Sequence, residues 1–96
     1  MTPQIVPDLI EAFRRSKTMF AALELGVFEA TPITAAAFAQ HAQANPRATE
    51  LLMDACVALG LLAKSDGVYT NTAEAQAYLT RNSPDTLAGY ALYSSN

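Results

Sequence analysis

Residues 45–70 read NPRATELLMDACVALGLLAKSDGVYT, and the punctuation of this stretch sets the architecture. Asn45 before Pro46 pairs a capping residue with a proline at the first helical position, a start signal for a helix. Behind it, Leu51, Leu52, Ala55, Cys56 and Leu59 recur at helical spacing and predict one apolar stripe. Gly60 ends the helix, because glycine takes the left-handed position beyond a C-terminus without steric cost. Residues 61–64 and 68–70 then flank Ser65-Asp66-Gly67. Asp-Gly between two short apolar runs predicts a two-stranded hairpin.

Upstream of this stretch, Thr34 opens a second helix through Ala35, Phe38, Ala39 and Ala42, a thin apolar face with Gln40 and Gln43 outside it. Two helices joined by a short connection make a helix-turn-helix candidate. The first helix covers residues 7–25, with Pro7 in its first turn and Asp8 complementing its positive end. Val6, Leu9, Ile10, Phe13, Phe20, Leu23 and Val27 share one stripe. Ile5, Met19, Ala22 and Phe28 widen it beyond what a single neighbouring helix needs. Gly26 stops the helix, and residues 27–30 read as a short turn before Thr31-Pro32.

Downstream, Thr72 opens a short helix over residues 73–79. Ser83-Pro84-Asp85 is a further start signal, followed by Thr86, Leu87, Tyr90, Ala91 and Tyr93 in an amphipathic pattern. That pattern meets Asn96 without a cap and reads as truncation. The sum is a mainly α, winged-helix-like domain with one short β-hairpin.

Composition narrows the function. Of 96 residues, 51% are hydrophobic and 16% charged, which excludes a disordered tail. The longest apolar run, residues 55–63, falls short of the roughly 20 residues that cross a bilayer, and no signal peptide follows Met1. One cysteine and one histidine build neither a disulfide framework nor a metal cluster, so the expected compartment is a reducing cytoplasm. A net charge of −3 opposes general attraction to nucleic acid or anionic lipid. A chain this short buries only part of its apolar surface alone, which points to a partner chain.

Catalytic motifs are absent. The four glycines are scattered, so neither a G-x-G-x-x-G nor a P-loop can be written. Cys56 lies on an apolar stripe and reads as inert core; His41 reads as a surface residue. The third helix, where a winged-helix regulator reads DNA, offers Arg47, Thr49, Glu50 and Asp54, and the hairpin sets Lys64 against Asp66. One arginine beside two carboxylates suits neither base edges nor phosphates. In the Arg14-Arg15-Ser16-Lys17 run, Ser16 and Lys17 interrupt the stripe between Phe13 and Phe20. Polar groups there suit a cavity wall, a ligand pocket, a partner carboxylate, or a lysine whose stem lies on the core.

Several segments together resemble one family. They are Ser16-Lys17-Thr18-Met19-Phe20-Ala21-Ala22-Leu23-Glu24-Leu25-Gly26-Val27-Phe28, Pro46-Arg47-Ala48-Thr49-Glu50-Leu51-Leu52 and Ala58-Leu59-Gly60-Leu61-Leu62, with Tyr69-Thr70-Asn71-Thr72-Ala73-Glu74 and Tyr78-Leu79 behind them. In this order the chain resembles the N-terminal dimerisation domain of the S-adenosylmethionine-dependent O-methyltransferases, of the hydroxyindole (acetylserotonin) and bacterial polyketide-tailoring types. The second helix departs from the family pattern, with Ala37-Phe38 where an acidic residue before a leucine is usual, and Ala44 where glycine is.

The resemblance implies an interlocked homodimer and a small-molecule acceptor; the charge and the short apolar run predict no nucleic-acid and no membrane partner. It implies a dimerisation domain over residues 1–82 and, over residues 83–96, the start of a helix leading to a missing Rossmann-like catalytic domain. S-adenosylmethionine belongs to that missing domain; this chain itself is expected to bind no cofactor, to hold no catalytic residue and to show no methyl transfer. Phe13, Lys17, Met19 and Phe20 are implied as acceptor-pocket wall. Ile5, Leu9, Phe13, Phe20, Leu23, Leu87 and Tyr90 are the expected dimer interface. The competing expectations are a winged-helix DNA-binding transcriptional regulator and a free-standing interaction module.

Overall fold

The computed structural model describes residues 4–94, with side chains as far as Ala91. In chain order the elements are α1 (Ile5–Leu25), α2 (Val27–Ala30), β1 (Ile33–Thr34), α3 (Ala35–Ala42), α4 (Pro46–Ala58), β2 (Leu62–Ser65), β3 (Val68–Asn71), α5 (Ala73–Leu79) and α6 (Ala88–Ser94).

The expected caps are made. Asn45 Oδ1 accepts from the Ala48 amide at 2.9 Å, Thr34 Oγ1 from Ala37 at 3.2 Å, and Thr72 Oγ1 from Ala75 at 3.3 Å. Each satisfies an amide that the first turn of a helix leaves without an intrahelical acceptor. Gly26 closes α1 at φ 87°, its amide reaching the Ala22 and Leu23 carbonyls. In the hairpin turn Asp66 and Gly67 have φ of 51° and 79°, the pair of positive angles whose twist matches the flanking strands.

Three elements depart from the sequence reading. Residues 27–30 form one helical turn, α2, where a plain turn was expected. Ile33 and Thr34 pair antiparallel with Tyr69 and Val68, so the hairpin becomes a three-stranded sheet in the order β1-β3-β2. Two residues are too short to display a period-2 pattern, and only the partner strand reveals them. The last helix opens at Ala88 and not at Ser83. Ser83 instead folds a turn, its carbonyl accepting from Thr86 and its hydroxyl from Asp85, and Thr86 Oγ1 accepts from the Ala88 amide. Tyr93 lies outside the described side chains.

The core gathers Phe28 from α2, Phe38 from α3, Met53 and Cys56 from α4, Leu62 and Tyr69 from the sheet and Leu79 from α5. On α4 the buried face runs through Thr49, Met53 and Cys56. This corrects the expected leucine stripe: Leu51 is 57% exposed, and Thr49, expected on the polar face, is buried. Hydrophobicity alone favours Leu51, but the i, i+4, i+7 register facing α1, α3 and β2 belongs to the other three residues. Ala88 and Ala91 place α6 against the same core.

Candidate functional site

Only the last turns of α1 enter the core, at Ala22 and Leu23. The face before them is bare: Ile5, Leu9 and Phe13 are 73%, 65% and 63% exposed, and Val6 and Ile10 lie beside them. Lys17 follows one turn after Phe13 and holds its Nζ 5.3 Å from the centre of that ring. Ser16 lies nearby, in a small concavity shared with Arg15, Met19 and Leu61.

Where α1 approaches α5 and α6, a cleft of about 560 Å³ opens. Met19 and Phe20 of α1, Leu61, Tyr78 of α5, Leu87, and Tyr90 of α6 line it, with Glu74 the single charged side chain among the lining residues. The volume lies within the range of small-molecule pockets, and two of its large apolar lining residues, Leu87 and Tyr90, are 52% and 73% exposed.

The structure therefore brings together Met19, Phe20, Leu87 and Tyr90 in the cleft, and Ile5, Leu9, Phe13 and Lys17 on the bare stripe. Leu23 belongs to neither. It is 7% exposed and packs inside the chain's own core, because the end of α1 lies against α4. Glu74 and Tyr78 were missed by sequence reasoning; their i, i+4 spacing on a seven-residue helix carries no signal until α5 is seen beside α1.

Other chemistry is structural. Asp54 Oδ1 accepts from the Tyr69 hydroxyl and from Lys64 Nζ. These hydrogen bonds hold the Asp54 carboxyl below its ordinary range. The Lys64 ammonium is raised, by Tyr69 first and then by Asp54, and Tyr69 is raised mainly by burial. Burial pushes the Cys56 thiol up to about 11, where a thiolate nucleophile is suppressed. His41 is exposed at the end of α3, its ring 6.2 Å from that of Phe38. No three potential metal ligands cluster among the described residues, and no described helix is long and apolar enough to cross a membrane.

The glycines serve turns: Gly26, Gly60 and Gly67 have positive φ, and the four are scattered along the chain and form no glycine-rich loop of the kind that holds a nucleotide-like methyl donor. On α4, burial of Thr49 and engagement of Asp54 with the hairpin leave Arg47, Glu50 and Leu51 outward, a poor surface for DNA.

Residues 7–81 match the family model of the O-methyltransferase dimerisation domain. Acetylserotonin O-methyltransferase of Rattus norvegicus is 42% identical over 94 residues, covering 94% of this chain and 22% of that protein. 3-Hydroxy-5-methyl-1-naphthoate 3-O-methyltransferase of Streptomyces sahachiroi is 41% identical over 91 residues, covering 92% of this chain and 26% of that one. Among solved structures, human N-acetylserotonin methyltransferase in complex with SAM superposes with a TM-score of 0.83 at 36% identity, covering 97% of this chain and 30% of that one. An O-methyltransferase family protein of Burkholderia thailandensis gives 0.89 at 26% identity, over 99% of this chain and 29% of that one. The chain thus spans about a quarter of the length of these curated relatives.

Proposed function

Because the chain belongs to the O-methyltransferase dimerisation domain family, we propose that it is the self-association module of a longer, SAM-dependent small-molecule O-methyltransferase. Residues 1–82 and the segment from 83 onward then serve as the dimerisation domain and its lead into a catalytic domain. The observation that carries this reading is the pairing, on one chain, of a bare apolar helix face with an apolar cleft.

The reading assigns Ile5, Leu9, Phe13, Phe20, Leu87 and Tyr90 to the homodimer interface. Covering them removes apolar area from water, a favourable change of about 25 cal/mol per Å². The contact is isologous, so each copy presents both the stripe and the cleft. Met19 and Phe20, at the α1 side of the cleft, form part of the acceptor wall in the full-length enzyme where the covering copy leaves them open. Phe13 and Lys17 reach an acceptor only where the stripe of one copy lies beside the pocket of the other. The methyl donor and the transfer chemistry belong to the remainder of the protein, and the cytoplasm is the compartment that fits.

Sedimentation velocity on the 96-residue chain tests the reading. A dimer is expected at micromolar concentration, with no methyl transfer above a no-protein control and no calorimetric signal on titrating S-adenosylmethionine. A chain that stays monomeric at high concentration would refute the assignment.

A further inference from the structure

Resting on the homodimer reading above, we propose that Lys17 of one copy pairs with Glu74 of the other, and that this ion pair sets the register in which stripe meets cleft. The occupant of the cleft is a second copy of this chain.

The charges are placed for it. Lys17 continues the line Leu9–Phe13–Lys17 at four-residue spacing, so its ammonium travels with the apolar face. It rests over the Phe13 ring, and among the described residues it has no carboxylate partner. Arg14, in contrast, is engaged by Glu11 of its own helix at 3.4 Å. Among the described residues Glu74 is the one charge lining the cleft, and it too has no ion pair among them. Covering the apolar lining strips water from that carboxylate, which is strongly unfavourable unless a cation arrives with the covering surface. The bare stripe brings one. A neutral apolar face sliding in a neutral cleft has weak preference for position, whereas a charge met by its opposite penalises every other register.

The test is a charge-reversal cycle read by sedimentation velocity on the 96-residue chain. Both side chains are exposed, so each variant should retain the wild-type circular dichroism, and its melting curve at concentrations where the chain is monomeric. Lys17→Glu and Glu74→Lys are each expected to weaken the dimer by about tenfold or more, and the double variant to recover to within about threefold of wild type. Raising salt from 50 mM to 500 mM should weaken the wild-type dimer and leave the Glu74→Gln dimer less affected. A dimeric wild type whose single variants keep its affinity, or whose double variant shows no recovery, overturns the pairing while the homodimer stands. A wild type that remains monomeric overturns both.

Discussion

The Tyr69 hydroxyl donates to Asp54 Oδ1 at 2.5 Å, linking β3 to α4 across fifteen positions of sequence. The same oxygen accepts from Lys64 Nζ at 3.1 Å, and that ammonium stands 5.0 Å from the Tyr69 ring. One helix carboxylate thus holds both strands of the hairpin. The Tyr69 ring is buried, at 1% exposure for the residue, while the carboxylate end reaches solvent with 44% of its side chain accessible. The arrangement fixes the hairpin to the helix with an apolar anchor and a charged clip.

The clip makes stability pH-dependent in acid. Tyr69 and then Lys64 lower the Asp54 carboxyl below its reference of 3.8, so protonation is easier in the unfolded chain. The stabilisation is present above about pH 4 and is lost as pH falls through the lower folded value. Solvent screening at this exposed pair keeps the effect small. Asp54→Asn should cost about 1 kcal/mol at pH 7 and remove part of the decline below pH 4. Urea unfolding of both forms between pH 7 and pH 2 checks this; equal slopes would exclude Asp54 as the titrating group.

Much of this frame was legible because local chemistry writes it: Asn45-Pro46, Thr34 and Thr72 as caps, Gly26 as a stop, Asp66-Gly67 as a turn. What escaped depends on distant contacts. Ile33–Thr34 is a strand only because β3 lies beside it. Ser83 carries a start signal that a turn uses instead. Leu51 and Thr49 exchanged their expected places because the register of α4 is set by the neighbours it faces. At the site, the bare stripe followed from periodicity, but the cleft required α5 and α6 to be placed against α1, and so Glu74 and Tyr78, though within segments that carry the family resemblance, were not legible as site residues.

Thr72 joins two parts of the fold through one hydroxyl. It accepts from the Ala75 amide and donates to the Gly60 carbonyl at 2.8 Å, so it caps α5 and binds the exit of α4. Thr72→Ala should destabilise by about 1–2 kcal/mol, lowering the melting temperature by about 4–16 °C for a domain of this size. Thr72→Ser should recover most of the loss, because it retains the oxygen. A serine variant as unstable as the alanine one would place the effect in the lost methyl group.

Cys56 reports on unfolding. Its side chain is fully buried, and burial raises its thiol to about 11. At pH 8 the native chain should therefore leave Ellman's reagent unreacted for as long as it stays folded, and denaturant should release one thiol per chain. Rapid native labelling would mean that α4 opens well below the global transition.

Leu9 and Leu23 lie on one predicted stripe of α1 but differ in what they pack against, and aspartate at each position separates fold from assembly. Leu23 is 7% exposed among core side chains, whereas Leu9 is 65% exposed. An unpaired carboxylate at Leu23 is buried at a cost of several kcal/mol, a large part of the roughly 5–15 kcal/mol that keeps a small domain folded. Leu23→Asp should consequently abolish the cooperative melt. Leu9→Asp leaves its charge in water in the monomer and should retain the helical spectrum and the melt of an isolated chain. In a dimer that covers the stripe, the same charge is desolvated, and association should weaken by at least tenfold, or about 1.4 kcal/mol. Circular dichroism and sedimentation velocity on the two variants read these effects separately. A Leu9→Asp chain as dimeric as wild type would remove the α1 stripe from the interface.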